Sequence, residues 1–109
     1  MAETYKTLGQ AKPTAATLTA LYTVPAATQT IVAVVTAANQ SSTADTIRIS
    51  VAPGGAADAA SQYLVYGATV NGNDSLIINP GYGMQATDVL RVYSTNGTTS
   101  FCASGVEIT

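Results

Sequence analysis

The alternation of apolar and polar positions is the clearest pattern along the chain. Between positions 46 and 51, isoleucine and valine alternate with threonine, arginine and serine, and the segment Leu18–Val24 alternates in the same way. Side chains two residues apart lie on the same face of a β-strand, and β-branched residues suit its pleated surface. No segment keeps the apolar spacing of three and four residues that an amphipathic helix requires. The pattern therefore predicts an all-β chain.

Turn residues divide the chain into about eight short strands. Glycine, proline and asparagine recur between the apolar segments, and one longer connection runs through Pro53–Ser61. This number of strands in about 100 residues fits a two-sheet antiparallel sandwich of the jelly-roll or immunoglobulin-like type. The predicted strands after the N-terminal segment are Leu18–Val24, Gln29–Ala38, Asp45–Ala52, Gln62–Ala68, Ser75–Ile78, Val89–Ser94 and Ser100–Ile108.

The turn between the last two predicted strands has the strongest local signal. Asn96-Gly97 supplies residues that accept positive φ, as a tight hairpin turn requires. We therefore expect Val89–Ser94 and Ser100–Ile108 to pair as a hairpin. The segment Asn79–Gly83 is expected to be a loop with Tyr82 at its tip.

The N-terminal segment, residues 1–14, differs from residues 15–109, which are expected to form a single β-sandwich domain. It holds three of the ten charged residues of the chain and contains Pro13 near its end. One interpretation is an edge strand or a frayed terminus around Leu8. The other is an arm that adds a strand to the sheet of a neighbouring molecule.

The segment Ile31–Val35 is apolar at every position, so it offers apolar side chains to both faces of a sheet. A solvated outer face is normally polar, which indicates that something covers this one. One explanation is a central strand that the N-terminal segment or a loop shields. The other is a contact between subunits, for which Val32 and Val34 are the candidate residues.

Tyrosine is the main aromatic residue, with six copies against one phenylalanine and no tryptophan. Tyr63 and Tyr66 are three positions apart in one predicted strand and are expected to point to opposite faces. Tyrosine buries a large area and has a polar end, which suits interfaces, although it also occurs at sheet edges. The candidate interface residues are Tyr5, Leu8, Val32, Val34, Tyr63, Tyr66 and Tyr82.

Charge is scarce in this chain. Four basic and six acidic residues make up 9% of it, against about a quarter in an average soluble domain. The four basic residues are scattered, so no basic stripe can follow phosphates, and nucleic-acid and anionic-membrane partners are disfavoured. A surface of small uncharged side chains is instead suited to contact with other protein.

Groups for catalysis or metal binding are few. The chain has no histidine and one cysteine, so it lacks an imidazole base and the set of residues that coordinates zinc. Cys102, in an apolar segment, is predicted to be a buried thiol. The aspartates are spread along the chain and are expected at the surface, with Asp88 capping a turn. We expect no enzyme, no cofactor and no metal site, while calcium bound by loop oxygens stays open.

Six segments of the chain form a set: Leu8-Gly9-Gln10, Leu18–Pro25, Ile47–Ala52, Gln62-Tyr63-Leu64, Ala86–Tyr93 and Gly105–Ile108. The set resembles small β-sandwich virion proteins encoded among the structural genes of tailed bacteriophages. The resemblance covers most of the chain and consists of strand and turn pieces, so it transfers no functional residues.

The resemblance implies a non-enzymatic head decoration, or cement, protein that binds the outer capsid surface between capsomers and stabilises the shell. The expected partners are the major capsid protein and further copies of the chain in a homotrimer. The first ten residues lack the apolar run of a secretory signal, so we expect synthesis in the host cytoplasm and location in the virion. The alternatives are a tail, neck or fibre-associated virion protein and, from another class, a carbohydrate-binding adhesion module.

Overall fold

Nine antiparallel strands form two sheets in the computed structural model, which describes residues 2–109. The predicted two-sheet sandwich is confirmed. Two single 3-10 turns, Pro53–Gly55 and Ala60–Gln62, lie in the connection between β4 and β5. The strands are β1 (Glu3–Ala11), β2 (Thr19–Thr23), β3 (Gln29–Asn39), β4 (Asp45–Ala52), β5 (Tyr63–Val70), β6 (Ser75–Ile78), β7 (Tyr82–Met84), β8 (Val89–Ser94) and β9 (Thr99–Ile108).

The strand order distinguishes between the two sandwich types. One sheet has the order β1-β9-β3-β6, with β7 also paired to β3, and the other has the order β2-β8-β4-β5. Consecutive strands lie in different sheets except for β4–β5 and β6–β7, and the first strand pairs with the last. This is the arrangement of a jelly roll. An immunoglobulin sandwich would place the first strand beside the second.

The N-terminal segment forms β1, which pairs antiparallel with β9 of the same chain from Glu3 to Ala11. It is therefore an edge strand of the five-stranded sheet, one of the two interpretations that the sequence allowed. β1 does not lie over the outer face of β3, because β9 separates the two strands.

The core fills the space between the inner faces of the sheets. The largest fully buried apolar side chains come from both sheets and include Phe101, Ile47, Ile49, Met84 and Leu90. β7 contributes Met84, which pairs with Thr30 of β3. The predicted loop at Asn79–Gly83 is confirmed for residues 79–81 but wrong for Tyr82 and Gly83, because Tyr82–Met84 continues the edge of the sheet that β6 begins.

A β-bulge in β3 explains part of the apolar run at Ile31–Val35. The register with β9 shifts between Val32 and Val34, so the alternation is broken at this point. Both Val32 and Val35 are consequently buried in the core, whereas Val34 lies on the outer side. Val32 is 1% exposed and is not available to a partner, which corrects its place among the candidate interface residues.

The last two strands do not form a hairpin, which corrects the sequence prediction. β8 belongs to the four-stranded sheet and β9 to the five-stranded sheet, so the connection crosses from one sheet to the other. Gly97 has the positive φ expected there, 70°. The Asn-Gly pair predicts only the local backbone conformation of the turn. It does not predict whether the two strands pair with each other, because a tight turn can also connect strands of two packed sheets.

A buried carboxylate holds this crossing together. Asp45, at the start of β4, is 1% exposed and accepts hydrogen bonds from the hydroxyls of Ser94 and Thr99, the latter at 2.6 Å. It also accepts from the backbone N–H of Asn96 and of Thr46, each at 2.9 Å. These donors come from β8, β9, the turn between them and β4 itself. The expectation that Asp45 lies at the surface was therefore wrong.

Burial raises the pKa of Asp45, but these four hydrogen bonds lower it more, so that it lies below its ordinary value of 3.8. The ionised carboxylate is thus the form that the fold requires.

A second hydrogen-bonded group lies near the opposite end of the sandwich. Tyr22 of β2 donates its hydroxyl proton to Glu107 of β9 at 2.6 Å and lies 2.8 Å from the hydroxyl of Thr30. Glu107 also pairs with Lys6 of β1 at 3.0 Å. Burial and the bond to Glu107 raise the pKa of Tyr22 to about 12, whereas the bonds from Tyr22 and Lys6 lower the pKa of Glu107. The two sheets are therefore joined by polar contacts at both ends.

We expect Asp45→Asn to lower the free energy of unfolding by about 3 kcal/mol, because an amide cannot accept from all four donors and leaves buried groups unpaired. Asp74→Asn is the matched control, since the exposed carboxylate of Asp74 accepts only from the adjacent N–H of Ser75. Urea unfolding at neutral pH measures both variants. Equal effects of the two substitutions would contradict the role assigned to Asp45.

The pH dependence of the free energy of unfolding gives a second test of the role of Asp45. Because the folded-state pKa of Asp45 is depressed, its contribution to stability is present above pH 3.8 and is lost as the pH falls through the lower folded-state value. Unfolding of the wild type between neutral pH and about pH 2 should show this loss. The Asp45→Asn variant should lack this contribution and keep the loss that comes from Glu107, whose pKa is also lowered.

Candidate interaction surfaces

The outer faces of the two sheets differ in charge. We call the outer side of the five-stranded sheet the neutral face, because Glu3 is the only charged residue on it among the described residues of the strands. We call the outer side of the four-stranded sheet the arginine face, because it carries Arg48 and Arg91, the two arginines of the chain.

The neutral face carries exposed apolar side chains on three strands. The register places Tyr5 of β1 opposite Val106 of β9, and Val106 opposite Ile31 of β3. Tyr5 is 68% exposed and Ile31 is 42% exposed, while Ile77 of β6 is 60% exposed on the same side. The remaining outward positions are mainly serine, threonine and glutamine. The face therefore carries little charge, with Glu3 on β1 and Lys12 just beyond the end of β1, and it is inexpensive to remove from water.

Cys102 also lies on this face. It is half-buried in β9, opposite Gln10 of β1 and Thr36 of β3, and the side-chain N–H of Gln10 lies 3.6 Å from its sulfur. The prediction of a thiol in the core was wrong. The surrounding sequence is apolar because its alternate residues, Phe101 and Ala103, point inward.

The remaining candidate interface residues lie in four places. Tyr5 and half-buried Val34 are on the neutral face, while Leu8 packs against the core. Tyr82 pairs with buried Val32, so it lies on the inner side at the sheet edge and is 40% exposed. Tyr63 and Tyr66 are on the arginine face.

Tyr63 and Tyr66 lie on the same face, not on opposite faces as the sequence predicted. Their rings meet edge to face with centroids 4.9 Å apart. β5 contains two register shifts against β4, which leave Leu64 and Gly67 as extra residues. The insertion at Leu64 brings Tyr63 onto the side of Tyr66, and Gly67 accommodates the second shift with a φ of 75°.

Arg48 stands between two aromatic rings on the arginine face. Its guanidinium carbon is 4.3 Å from the ring centroid of Tyr66 on β5 and 4.3 Å from that of Tyr93 on β8. The register explains this arrangement, because Arg48 of β4 pairs with Tyr66 on one side and with Tyr93 on the other. Sequence alternation indicates that the side chains of Arg48 and Tyr93 point outward. The stack with Tyr66 could not be predicted, because alternation does not detect the bulges in β5.

The loop between β4 and β5 lies beside this stack and is tied to it. The Tyr63 hydroxyl donates to Asp58 at 3.0 Å, and Arg91 donates to the backbone carbonyl of Gly55 at 3.3 Å. Burial and the contact with Asp58 raise the pKa of Tyr63.

Asp88 accepts from the N–H groups of Gly54 and Gln85, each at 2.9 Å. The prediction that Asp88 caps a turn is confirmed, and this residue also anchors the loop.

The acidic side chains and the thiol are dispersed over the described part of the chain. Within residues 2–109, no three carboxylates or thiols lie close enough together to hold a metal ion. The two carboxylates with altered pKa values, Asp45 and Glu107, are far apart. Thr99, which binds Asp45, is eight residues along β9 from Glu107, or about 26 Å.

The described residues contain no helix that is long and apolar enough to cross a membrane. No protein family model and no curated protein sequence matches this chain. The function must therefore be inferred from the two outer faces.

We expect Arg48→Ala to lower the free energy of unfolding by about 1 kcal/mol, because it removes two cation–π contacts at a partly exposed site. Lys12→Ala is the control, and it should change stability little, since Lys12 is exposed. Chemical denaturation measures both. An Arg48→Ala variant as stable as the wild type would show that the stacked geometry contributes nothing to folding.

Proposed function

We propose that this chain is a non-enzymatic head decoration protein of a tailed bacteriophage. In this proposal it associates with further copies of itself, as a homotrimer, and with the major capsid protein at the outer capsid surface. It strengthens the shell by burying surface across the joints between capsomers. The phage context comes from the resemblance of the sequence, and the assembly role is supported by the neutral face.

The observation that carries the proposal is the combination of exposed apolar residues and scarce charge on the neutral face. Tyr5, Ile31 and Ile77 expose apolar surface on a sheet whose strands bear one outward charge. Such a surface loses little solvation when another protein covers it, and covering it removes apolar area from water. Neither β1 nor a loop of the described chain covers it, so the covering surface has to come from a second molecule.

Many weak contacts suit a decoration protein. One neutral face is small, but each additional copy on a particle adds its own contacts, and copies linked in an oligomer bind more tightly than single domains do. The jelly-roll sandwich is found in viral capsid proteins as well as in other classes. Fold alone does not decide the function, so the assignment depends on the assembly experiments.

We expect Ile31→Asp and Val34→Asp to give folded protein that no longer self-associates, because each places a charge in the proposed contact. Light scattering after gel filtration measures the mass, and circular dichroism measures folding. Thr69→Asp, which adds the same charge at an exposed position of β5, should leave the assembly intact. Val32→Asp should instead prevent folding, since Val32 is in the core.

The same variants test capsid binding. The wild type should bind mature heads saturably and raise their melting temperature, and the Ile31→Asp variant should do neither. A monomeric wild type that leaves capsid melting unchanged would contradict the proposal. Copy number separates the alternative of a tail, neck or fibre component, which is present in far fewer copies per particle than a decoration protein.

A further inference from the structure

We propose that the arginine face is a binding site for a saccharide that carries a carboxylate, held by the stack of Tyr66, Arg48 and Tyr93. The site is independent of the assembly proposed for the neutral face, because the two faces lie on opposite sides of the sandwich. Four features of the face support this inference.

The first feature is the unpaired positive charge. Within residues 2–109 the one ion pair joins Lys6 to Glu107, so neither Arg48 nor Arg91 has a carboxylate partner. Arg48 is held in place by aromatic rings from both neighbouring strands, and its guanidinium also lies beside the Tyr63 hydroxyl. A planar guanidinium edge pairs with a carboxylate through two parallel hydrogen bonds. The charge and geometry thus select an anionic group of that shape.

The second feature is the exposed aromatic surface. Tyr66 remains 66% exposed although it contacts both Arg48 and Tyr63. An aromatic ring fixed in orientation by two neighbours offers a flat apolar surface with a polar edge. The C–H face of a sugar ring fits such a surface, while the hydroxyls of the sugar remain free to form hydrogen bonds.

The third feature is unused hydrogen-bonding capacity beside the stack. Among residues 2–109, two buried side-chain polar atoms have no hydrogen-bond partner, Oγ of Ser50 and Oε1 of Gln62. Ser50 pairs with Tyr63 across β4 and β5, and Gln62 precedes Tyr63, so both atoms lie at the same place in the fold. Buried polar groups are normally paired. These two atoms are buried and do not contact a ligand directly, but they show that the polar groups behind the stack are not fully paired.

The fourth feature is the position of Arg48 on an inner strand. β4 is hydrogen-bonded to β8 and to β5, so it has no free edge to which an extended peptide could add a strand. An extended peptide could add a strand near Arg48 only at β5, the edge strand that carries Tyr66, and the two bulges of β5 disfavour such pairing. A compact ring with a carboxylate fits the stacked side chains better than a peptide does.

Isothermal titration calorimetry with three soluble probes tests the proposal. The probes are sialyllactose, a disaccharide containing glucuronic acid, and lactose as the neutral counterpart. We expect the wild type to bind at least one carboxylated probe about tenfold more tightly than lactose. The two acidic probes distinguish a sialic acid from a uronic acid as the source of the carboxylate.

Variants locate the binding site. Tyr66→Ala should weaken binding about tenfold, and Arg48→Lys should weaken it as well, because lysine keeps the charge but loses the paired hydrogen bonds. Tyr82→Ala is the matched control, since Tyr82 is 40% exposed at the edge of the five-stranded sheet, and it should leave binding unchanged. Both tyrosines are at the surface, so both variants should fold, which circular dichroism checks.

Three results would overturn the proposal. The first is the absence of any difference between lactose and both acidic probes. The second is an equal loss of binding in Tyr82→Ala and Tyr66→Ala. The third is binding of an acidic peptide, used as a fourth probe, by wild type that binds no saccharide. This last result would assign the arginine face to a protein partner.

Discussion

The buried carboxylate of Asp45 is the interaction on which the sandwich depends most. A single ionised group receives four hydrogen bonds from β4, β8, β9 and the turn that crosses between the sheets. It therefore fixes the place where the chain leaves the four-stranded sheet and enters the five-stranded sheet. Because β9 lies between β1 and β3, its correct entry positions the whole neutral face. The contacts of Tyr22 with Glu107 and Thr30 hold the sheets together near the other end.

Much of the fold could be predicted from the sequence, because strand existence depends on local alternation and turn residues. Segments such as Asp45–Ala52 and Val89–Ser94 were predicted with their observed bounds. The predictions that were wrong concern features that depend on pairing between strands distant in the sequence. The Asn96-Gly97 turn has its expected backbone, yet a buried acid 51 residues away decides that it joins two sheets. Period-two alternation also cannot detect a bulge, and bulges moved Val32 into the core and Tyr63 onto the face of Tyr66.

The candidate surfaces could be predicted only in part from the sequence, for the same reason. Scarcity of charge indicated contact with other protein, but it could not show that the charges segregate by face. The five-stranded sheet exposes apolar and small polar side chains, whereas the four-stranded sheet carries both arginines among three tyrosines. An assembly surface on one side leaves the other side facing outward, where a ligand can reach it. The two proposals are thus compatible, and each can fail without the other.

The reactivity of Cys102 tests the central claim most directly, because this native thiol lies on the neutral face among the outward side chains of β1, β9 and β3. The rate of alkylation by a small maleimide can be compared between the wild type and the Ile31→Asp variant, with denatured protein as the reference for full access. If the neutral face is an assembly surface, the thiol is protected in the wild type and reacts faster in the folded variant. Equal rates in the two folded proteins would contradict the account.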